Sequence, residues 1–325
     1  MKKVIIDSDF GIDDAVAVLL ALESKDFEVL GITTVYGNVD IKQATNNAYF
    51  LLEQWNYNIP IFRGEEMPLE KDLYISTETH GKNGLGNIIV NKDYEPADQK
   101  DAWEFIIEMV ERYPEEITVI TLGPLTNIAS AILKNPTAMI KVREIVSMGG
   151  GILKGNMSPV AEFNIWCDPE AAKIVYDAEI PIKMVGLDVT HRVILTPNHI
   201  EFVKLIGGEK GEFLGKILDY YTSYYWNHER ILGCVMHDPL AVAIAANQSL
   251  AKYVHSHVDI SLNGITRGEC VVDLVDAWCN QKNADVAVDV FPEEFFDYFF
   301  RSLFRNNVNQ YLEYKEFQQK INKRG

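Results

Sequence analysis

The stretch Val4-Ile5-Ile6-Asp7-Ser8-Asp9-Phe10-Gly11-Ile12-Asp13-Asp14-Ala15 places four carboxylates between a short apolar run and a longer one, Val16 to Leu22. The first run is short and β-branched, which is typical of a buried parallel strand. The second is long enough for a buried helix. Asp13 and Asp14 fall in its first turn, where the helix dipole favours negative charge. We expect Gly11 to let the backbone turn sharply between the two elements.

The acidic turn also predicts a metal site. Several carboxylates in one strand-to-helix turn repel one another and lose hydration, which is costly unless a cation lies among them. Oxygen ligands on a short loop indicate a hard ion, Ca²⁺ or Mg²⁺. One or two acids would be explained by turn formation or helix capping. Four acids with this spacing, directly after a strand, favour the metal site.

Composition limits the class of protein. The chain has 325 residues, 47% of them hydrophobic, as in ordinary globular proteins. Its formal charge of −17, from 30 basic and 47 acidic residues, argues against nucleic-acid phosphate as the main partner. The four cysteines lack paired or metal-type spacing, which favours reduced thiols in a cytoplasmic protein. We expect no signal peptide, because the first strand begins too close to residue 1 to leave room for its apolar segment. We expect no membrane span, because no apolar run is long enough.

Strand-like and helix-like segments alternate along the chain, which predicts an α/β fold, a mainly parallel open sheet with helices on both faces. Strands are expected at 4–6, 27–36, 59–62, 117–122, 144–148, 182–187, 269–275 and 285–290, and helices at 16–22, 41–54, 102–112, 126–133, 171–177, 213–226 and 239–246. The segment from Arg63 to Asp98 has little periodicity and is long for a loop, which indicates a functional role. No repeat or linker is visible, so residues 1–325 are expected to form a single domain.

Polar or site-type residues follow the predicted strands. Asp9, Asn38, Leu122, Met148 and Asp188 lie at or just past the carboxyl ends of predicted strands. Open parallel sheets bind their ligands in the crevice outside those ends. The acidic turn, Gly37-Asn38 and Gly123-Pro124 are therefore expected to share one pocket.

Taken together, these motifs resemble the calcium-dependent nucleoside hydrolases, enzymes that cleave ribonucleosides into ribose and a free base. The resemblance spans roughly positions 4 to 290 and, besides the acidic turn, rests on Gly37-Asn38-Val39, His80-Gly81-Lys82-Asn83-Gly84-Leu85-Gly86, Gly123-Pro124-Leu125-Thr126-Asn127, Met148-Gly149-Gly150, Ala161-Glu162-Phe163-Asn164, Asp168-Pro169-Glu170-Ala171-Ala172 and His237-Asp238-Pro239, in the family's order. The family more often has Thr and Pro where this chain has Ser8 and Phe10. Neither residue is a metal ligand, so the difference concerns the rigidity of the loop.

The resemblance implies a Rossmann-like nucleoside hydrolase fold and a set of metal ligands. Ca²⁺ would be bound by Asp9, Asp14, the backbone carbonyl of Leu122 and Asp238, together with ribose hydroxyls and a water. Such an ion orients the sugar and acidifies the attacking water. Asp9 is the candidate general base. Its alternative role is that of a purely structural ligand, with Asp14 as the base.

The resemblance also implies the contacts to the sugar. Asp13 and Asn164 would hold the 2′- and 3′-hydroxyls of the ribose, with support from Asn38. Glu162 and Asn156 would contact the 5′-hydroxyl. Met148 would pack against the sugar ring. For Asn156 and Met148 taken alone, turn formation and core filling are the simpler explanations.

His237 is the candidate acid for the leaving base. Its place beside a metal ligand puts it next to the base side of the pocket, where an imidazolium could protonate the departing nucleobase. His80 is expected to line the same side, or else to cap its loop. Tyr225 belongs to an aromatic set with Tyr221, Tyr224 and Trp226. Such residues usually pack in a helical core, and the alternative is a flap over the nucleobase that includes Tyr225.

Two other functions remain open at this stage. Asp7-Ser8-Asp9 after a strand also resembles the nucleophile motif of haloacid-dehalogenase-type phosphatases, which would use Asp7 and Mg²⁺. A noncatalytic nucleoside-binding protein would keep the metal and sugar contacts, but the presence of both Asp9 and His237 argues against it. The His237-Asp238 pair resembles the branch that accepts inosine and uridine, or the pyrimidine-preferring branch. The family resemblance further implies a homo-oligomer, a dimer or a tetramer.

Overall fold

The structure is a computed structural model that describes residues 1–88, 90, 92, 94 and 100–322, without the side chains of 318, 319, 321 and 322. Its strands are β1 Lys2–Ser8, β2 Phe27–Thr34, β3 Ile61–Arg63, β4 Ile117–Thr121, β5 Glu144–Met148, β6 Ile182–Val185, β7 Ile194–Leu195, β8 Cys234–Val235, β9 Ala251–Ser256, β10 Val258–Ile260, β11 Cys270–Val272 and β12 Ala284–Val290. Its α-helices are α1 Ile12–Glu23, α2 Ile41–Gln54, α3 Thr77–His80, α4 Ala102–Arg112, α5 Thr126–Lys134, α6 Pro136–Met139, α7 Phe163–Cys167, α8 Pro169–Tyr176, α9 Leu187–Thr190, α10 Pro197–Ile206, α11 Gly208–Glu229, α12 His237–Ala246, α13 Pro292–Leu303 and α14 Val308–Asn322.

An eight-stranded sheet in the order β3-β2-β1-β4-β5-β6-β12-β9 runs through the structure. Every neighbouring pair is parallel except the last, where β9 runs antiparallel to β12 at one edge. The order reverses direction at β1, whose two neighbours are β2 and β4. Such a switch point opens a crevice at the carboxyl ends of the strands. The predicted α/β class with a mainly parallel open sheet is confirmed.

Both faces of the sheet are covered, as alternate side chains of β1 show. Val4 and Ile6 pack into one hydrophobic core, beneath α1 and α12, whereas Ile5 packs into the core on the other face, beneath α4 and α5. A strand buried on both faces has no polar side, which explains its continuous apolar run. The helices on the two faces thus fix β1 in position, and with it the acidic turn that follows.

Several predicted elements match the structure and some were missed. The expected helices Ile41–Gln54 and Ala102–Arg112 and the strand Glu144–Met148 have the predicted bounds. The strand expected to reach residue 187 ends at Val185, because helix α9 begins at Leu187. No element was predicted where helix α13 lies; its signal in the sequence is a proline at the first position followed by two acids. The long segment 63–98 contains the short helix α3, and part of it lies outside the described residues.

The turn after β1 differs from the expectation for Gly11. The left-handed backbone conformation lies at Phe10, with φ 49°, whereas Gly11 is extended, with φ −79°. Gly11 is needed for space: a Cβ there would lie 2.6 Å from Nδ2 of Asn38 and 2.7 Å from Nδ1 of His80. Proline, with φ fixed near −65°, cannot adopt the conformation of Phe10. The turn of this chain is therefore built with a residue other than proline.

Replacing Gly11 by alanine should destabilise the protein by about 1–3 kcal/mol, because the added methyl group overpacks a closed site. The free energy of unfolding, measured by urea denaturation, checks this. His80→Ala removes one of the two side chains that the methyl group meets, so the cost of Gly11→Ala should be smaller in the His80→Ala background. An equal cost in both backgrounds would refute the steric explanation.

Candidate active site

A cavity of about 490 Å³ opens at the carboxyl ends of the central strands. It is lined by eleven of the residues that the sequence singled out, namely Asp13, Asn38, His80, Leu122, Met148, Asn156, Glu162, Asn164, Tyr225, His237 and Asp238. Asp9 and Asp14 are not in its lining and are fully buried. The expectation that distant strand ends share one pocket is confirmed for Asn38, Leu122 and Met148. Asp188 instead accepts hydrogen bonds from the backbone N–H groups of Ile152 and Leu153.

Three carboxylates meet at one end of this cavity. Ligand oxygens of Asp13, Asp14 and Asp238 all lie within 4.8 Å of one another, and all three side chains are buried. Asp13 and Asp14 come from the first turn of α1, and Asp238 comes from the first turn of α12. These helices pack together, so a contact between distant parts of the sequence creates the cluster. Sequence reasoning assigned Asp13 to the sugar alone, whereas the structure places its carboxylate in this group of three.

Asp9 lies beside the group of three. Its Oδ2 accepts a hydrogen bond of 2.7 Å from the backbone N–H of Asn38. Its Oδ1 is buried and has no hydrogen-bond partner among the described residues. The two glycines Gly37 and Gly123 close over the side chain, and a Cβ at Gly37 would lie 2.1 Å from Oδ2. Asp9 is thus held in a fixed position with one oxygen atom still able to bind a ligand.

Burial makes these carboxylates hard to ionise. It raises the pKa of Asp9 and of Asp238 well above the usual range and that of Asp13 to about 8, and the neighbouring carboxylates add to each shift. The pKa of Asp14 is also raised, chiefly by burial. No lysine or arginine forms an ion pair with any of the four among the residues described. The cluster therefore fits a hard divalent cation, which would compensate these charges and use the free oxygen of Asp9.

The carboxylate of Asp14 is oriented by three donors. The hydroxyl of Ser8 donates to Oδ1 at 2.6 Å, while the N–H of Gly11 and Nδ2 of Asn38 donate to Oδ2 at 2.8 and 3.1 Å. Serine and threonine both carry a hydroxyl group, so Ser8 can make the same hydrogen bond as the threonine that is more common at this position in nucleoside hydrolases. Asn38 bonds both Asp9 and Asp14, so it positions the acids as well as lining the cavity.

The opposite wall carries amide and carbonyl groups. Nδ2 of Asn164 donates to the carbonyl of Leu122 at 2.9 Å and to that of Met148 at 3.2 Å. This bond leaves the Leu122 carbonyl a second lone pair for another ligand. Met148 is buried, with its sulfur 3.4 Å from the same amide nitrogen. Asn164 therefore ties the ends of β4 and β5 together at the cavity wall.

Glu162 and Asn156 lie farther along this wall. Glu162 caps the short helix α7 and accepts hydrogen bonds from the N–H groups of Gly150, Asn164 and Ile165. Burial raises the pKa of Glu162 to about 7 in spite of these bonds. Asn156 accepts a 2.9 Å bond from the N–H of Phe163, which is the turn-forming role weighed from the sequence.

His80 caps the start of helix α1 and also lines the cavity. Its Nδ1 accepts a 3.0 Å hydrogen bond from the N–H of Ile12 at the start of α1, and burial lowers the pKa of the imidazole to about 3. The ring is therefore neutral, and the 3.8 Å approach of Nδ1 to Asp13 is not an ion pair. Because His80 also faces the cavity, both roles weighed for it from the sequence are present together.

His237 is held between two hydroxyl groups. Its Nε2 lies 2.7 Å from the hydroxyl of Tyr225, and its Nδ1 lies 2.8 Å from the hydroxyl of Thr190. Burial lowers the pKa of His237 well below its usual range. The hydroxyl of Tyr225 also lies 3.3 Å from that of Tyr221. A connected series of groups that can carry protons therefore lines this end of the cavity.

The aromatic set of α11 divides between roles. Tyr221 and Tyr225 are buried and line the cavity, Tyr224 also lines it, and Trp226 is 48% exposed and is not among the lining residues. Residues that sequence reasoning missed also line the cavity, namely Ser76, Thr79, Lys154, Gly155, Met157, Phe163, His191, His228 and Glu229. His191 lies a few residues after the end of β6. The expectation that ligands bind outside the carboxyl ends of strands therefore indicated this region, but the sequence analysis named Asp188 there instead of His191.

Asp7, the nucleophile of the phosphatase alternative, is fully buried and is not among the residues that line the cavity. Its Oδ1 accepts hydrogen bonds from Nδ2 of Asn127 and from the hydroxyl of Thr33, which hold the carboxylate near the end of β1. In the described part of the chain, no helix combines the length and apolar character that crossing a bilayer requires. All four cysteines are free, as expected.

The chain is similar in sequence to known nucleoside hydrolases. The family model "Inosine-uridine preferring nucleoside hydrolase" matches residues 4–297. The chain is 37% identical over 298 residues to the inosine-uridine preferring nucleoside hydrolase of Crithidia fasciculata, covering 90% of this chain and 95% of the relative.

Solved structures agree as well. A plant nucleoside hydrolase superposes with a TM-score of 0.89 at 36% identity, covering 93% of this chain and 99% of that one. A purine-preferring ribonucleoside hydrolase from Gardnerella vaginalis gives a TM-score of 0.88 at 33% identity, with 93% and 98% covered. The phosphatase alternative is therefore not favoured. The chain belongs to the inosine-uridine preferring nucleoside hydrolase family.

Proposed function

We propose that this chain hydrolyses the N-glycosidic bond of ribonucleosides and releases ribose and the free base. The observation that carries this proposal is the arrangement of the cavity. It brings together a buried acid cluster and an imidazole held between two hydroxyl groups. Cleavage of such a bond passes through a positively charged sugar, needs a base for the attacking water and needs an acid for the leaving group. The cavity offers residues for each task.

The metal is proposed to be Ca²⁺, held by Asp9, Asp14, Asp238 and the carbonyl of Leu122, as expected from the sequence. Oxygen-only donors and the free oxygen of Asp9 support a hard ion. When bound, the ion lowers the pKa of a coordinated water and orients sugar hydroxyls. Asp13 lies within the same group of oxygens, so it completes the negative field around the ion while facing the sugar.

Asp9 is the proposed general base. Its Oδ2 is held by the N–H of Asn38, and the unpartnered Oδ1 has two lone pairs, one that would contact the ion and one that can receive a proton from water. The negative charges of Asp13 and Asp14 beside it also stabilise the positive charge that develops on ribose.

The ribose is proposed to lie between the acids and the wall formed by β4 and β5. Asp13 and Asn164 face the 2′- and 3′-hydroxyls, and Asn38 supports them by fixing Asp14. Glu162 and Asn156 bind the 5′-hydroxyl, and Met148 packs against the sugar ring. Because Glu162 is oriented by three backbone N–H groups, it can accept a hydroxyl proton in a fixed direction.

His237 is the proposed acid for the leaving base, with Tyr225 beside it. The pKa of His237, lowered by burial, makes its protonated form a strong acid. The proton passes from Nε2, directly or through the Tyr225 hydroxyl 2.7 Å away, to the base nitrogen as the glycosidic bond breaks. His80 lines the same end as a neutral ring. These residues favour substrates whose base needs protonation, such as inosine and uridine.

Two further properties are proposed from the family. We expect a homo-oligomer, a dimer or tetramer, which light scattering on the purified protein would show. The four free cysteines support a reducing compartment such as the cytoplasm.

Incubation with a panel of nucleosides tests the activity and the metal together. We expect free base and reducing sugar to appear in equal amounts from inosine and uridine. A chelator should abolish their release, because the buried acids cannot all ionise without a cation. Ca²⁺ added in excess should restore it. Restoration by Mg²⁺ but not by Ca²⁺ would contradict the calcium assignment, and turnover that is insensitive to chelation would contradict the metal itself.

Asp9→Ala should lower turnover by about 10³-fold or more, because it removes both a proton acceptor and a metal ligand. Steady-state rates on inosine and uridine measure this loss. Asp72→Ala is the matched control, since Asp72 is an exposed acid outside the cavity lining and should leave the rates unchanged. A loss for Asp9→Ala of less than about tenfold would favour Asp14 as the base.

His237→Ala should lower turnover of natural nucleosides by about 10²- to 10⁴-fold, the usual contribution of a general acid. On p-nitrophenyl riboside, whose leaving group needs little protonation, the loss should be much smaller. The ratio of the two rates, measured for wild type and variant, isolates the acid from any general damage to the site. Equal losses on both substrates would remove the general-acid assignment.

A further inference from the structure

Thr190 contacts the side of His237 that faces away from the proton-transfer partner. It is the last residue of α9, a single helical turn directly after β6, and it is fully buried. Its hydroxyl lies 2.8 Å from Nδ1 of His237, while Tyr225 of α11 lies 2.7 Å from Nε2. The imidazole is thus fixed by two anchors from two different helices. Thr190 is not among the residues that line the cavity.

We propose that Thr190 is a positioning residue, whose hydroxyl accepts the Nδ1–H of His237 and so reserves Nε2 for proton exchange with Tyr225 and the leaving base. This inference rests on the proposed general-acid role of His237. In neutral histidine one nitrogen donates and the other accepts, and the partner of one nitrogen determines the role of the other. A buried hydroxyl is a suitable fixed partner.

The other described neighbours of the His237 ring do not hydrogen-bond to its Nδ1, so Thr190 is the residue that can fix the proton there. His191, the next residue, packs its ring against that of His237 at 5.3 Å between centroids. Its own nitrogens lie 3.2 Å from the carbonyl of Leu187 and 3.2 Å from the carboxylate of Glu229. His191 therefore supports the imidazole by packing, and among the described residues only Thr190 and Tyr225 hydrogen-bond to the nitrogens of His237.

The turn that carries Thr190 is itself rigidly attached to the sheet. The N–H of Leu187 donates to the carbonyl of Gly150 at 2.9 Å, and the N–H of Thr190 donates to Gly186 at 3.2 Å. Gly186 has no room for a side chain, since a Cβ there would lie 2.9 Å from the Gly150 carbonyl oxygen. The position of the Thr190 hydroxyl is consequently set by strands β5 and β6.

A hydroxyl suits this position better than a carboxylate would. In serine hydrolases a carboxylate holds the histidine and also stabilises its positive charge. A neutral hydroxyl orients the ring but stabilises that charge much less, which suits an acid that must release its proton. As the bond between C1′ and the base nitrogen breaks, the electron pair goes to that nitrogen. The proton leaves Nε2 for the same atom, and His237 is left neutral with Nδ1–H still bonded to Thr190. Solvent returns the proton between turnovers.

Two variants distinguish the role of the Thr190 hydroxyl from that of its packing: Thr190→Val removes the hydroxyl and keeps the shape, whereas Thr190→Ser keeps the hydroxyl and removes the methyl group. Thr190→Val should lower turnover of inosine and uridine by about 10- to 100-fold, because a displaced acid loses its alignment. It should change p-nitrophenyl riboside hydrolysis little, and Thr190→Ser should retain most of the nucleoside activity. Thr45→Val makes the same exchange at another buried threonine, outside the cavity lining, and should leave both rates unchanged. In the His237→Ala background, Thr190→Val should cause no further loss of nucleoside turnover.

The tautomer gives a readout that does not depend on activity. The chain has seven histidines, so ¹⁵N-labelled imidazoles can be assigned with His237→Asn as the reference. Wild type should show His237 with the proton on Nδ1, and Thr190→Val should shift it toward Nε2. An unchanged tautomer, or equal losses on both substrates for Thr190→Val, would overturn the inference even if His237→Ala behaves as a general-acid variant. Equal losses for His237→Ala would instead refute the acid assignment, and the tautomer would then decide the Thr190 contact separately.

Discussion

The site depends on keeping the carboxylates of Asp13, Asp14 and Asp238 buried within 4.8 Å of one another, with the buried carboxylate of Asp9 beside them. Burial opposes the ionisation of each of them, and each ionised neighbour opposes it further. The protein supplies partial compensation through fixed dipoles: the first turns of α1 and α12 direct their N-terminal ends toward the cluster, and the Asn38 N–H donates to Asp9. These neutral donors cannot offset several full charges. The fold therefore creates a strong demand for a divalent cation at one defined point.

That demand explains why the surrounding backbone is so closely specified. Gly11 and Gly37 leave no room for a methyl group, because Asn38 and His80 lie against Gly11 and the carboxylate of Asp9 lies against Gly37. The alternation of β1 between two cores prevents the strand from shifting by one residue, which would turn Asp9 away from its partners. Packing far from the cavity thus fixes the charge arrangement within it. Stability and metal binding are coupled through the same strand.

Sequence patterns revealed the parts of this arrangement that are local. The apolar run of β1, the first turn of α1 and the strand ends carry their signal in adjacent residues, and so the fold class and the strand-end residues Asn38, Leu122 and Met148 were predictable from local patterns. Glu162, Asn164 and Asn156 were expected only from the family resemblance. The grouping of Asp13 with Asp238 was not predictable from the residues, since it depends on how α1 packs against α12. The role of Phe10 was hidden for a similar reason, because a left-handed backbone leaves little mark on a non-glycine residue. Thr190 was missed because a buried threonine normally indicates packing.

The acid cluster and the group around His237 solve opposite electrostatic problems. Acids oriented by backbone N–H groups concentrate negative charge where ribose would become positive. Around His237, burial and neutral hydroxyl partners discourage the imidazole from keeping a proton. A carboxylate beside His237 would hold the proton and weaken the acid, whereas a hydroxyl holds only the ring. The use of acids around the sugar and of hydroxyls around His237 therefore follows from the direction in which electrons move as the glycosidic bond breaks.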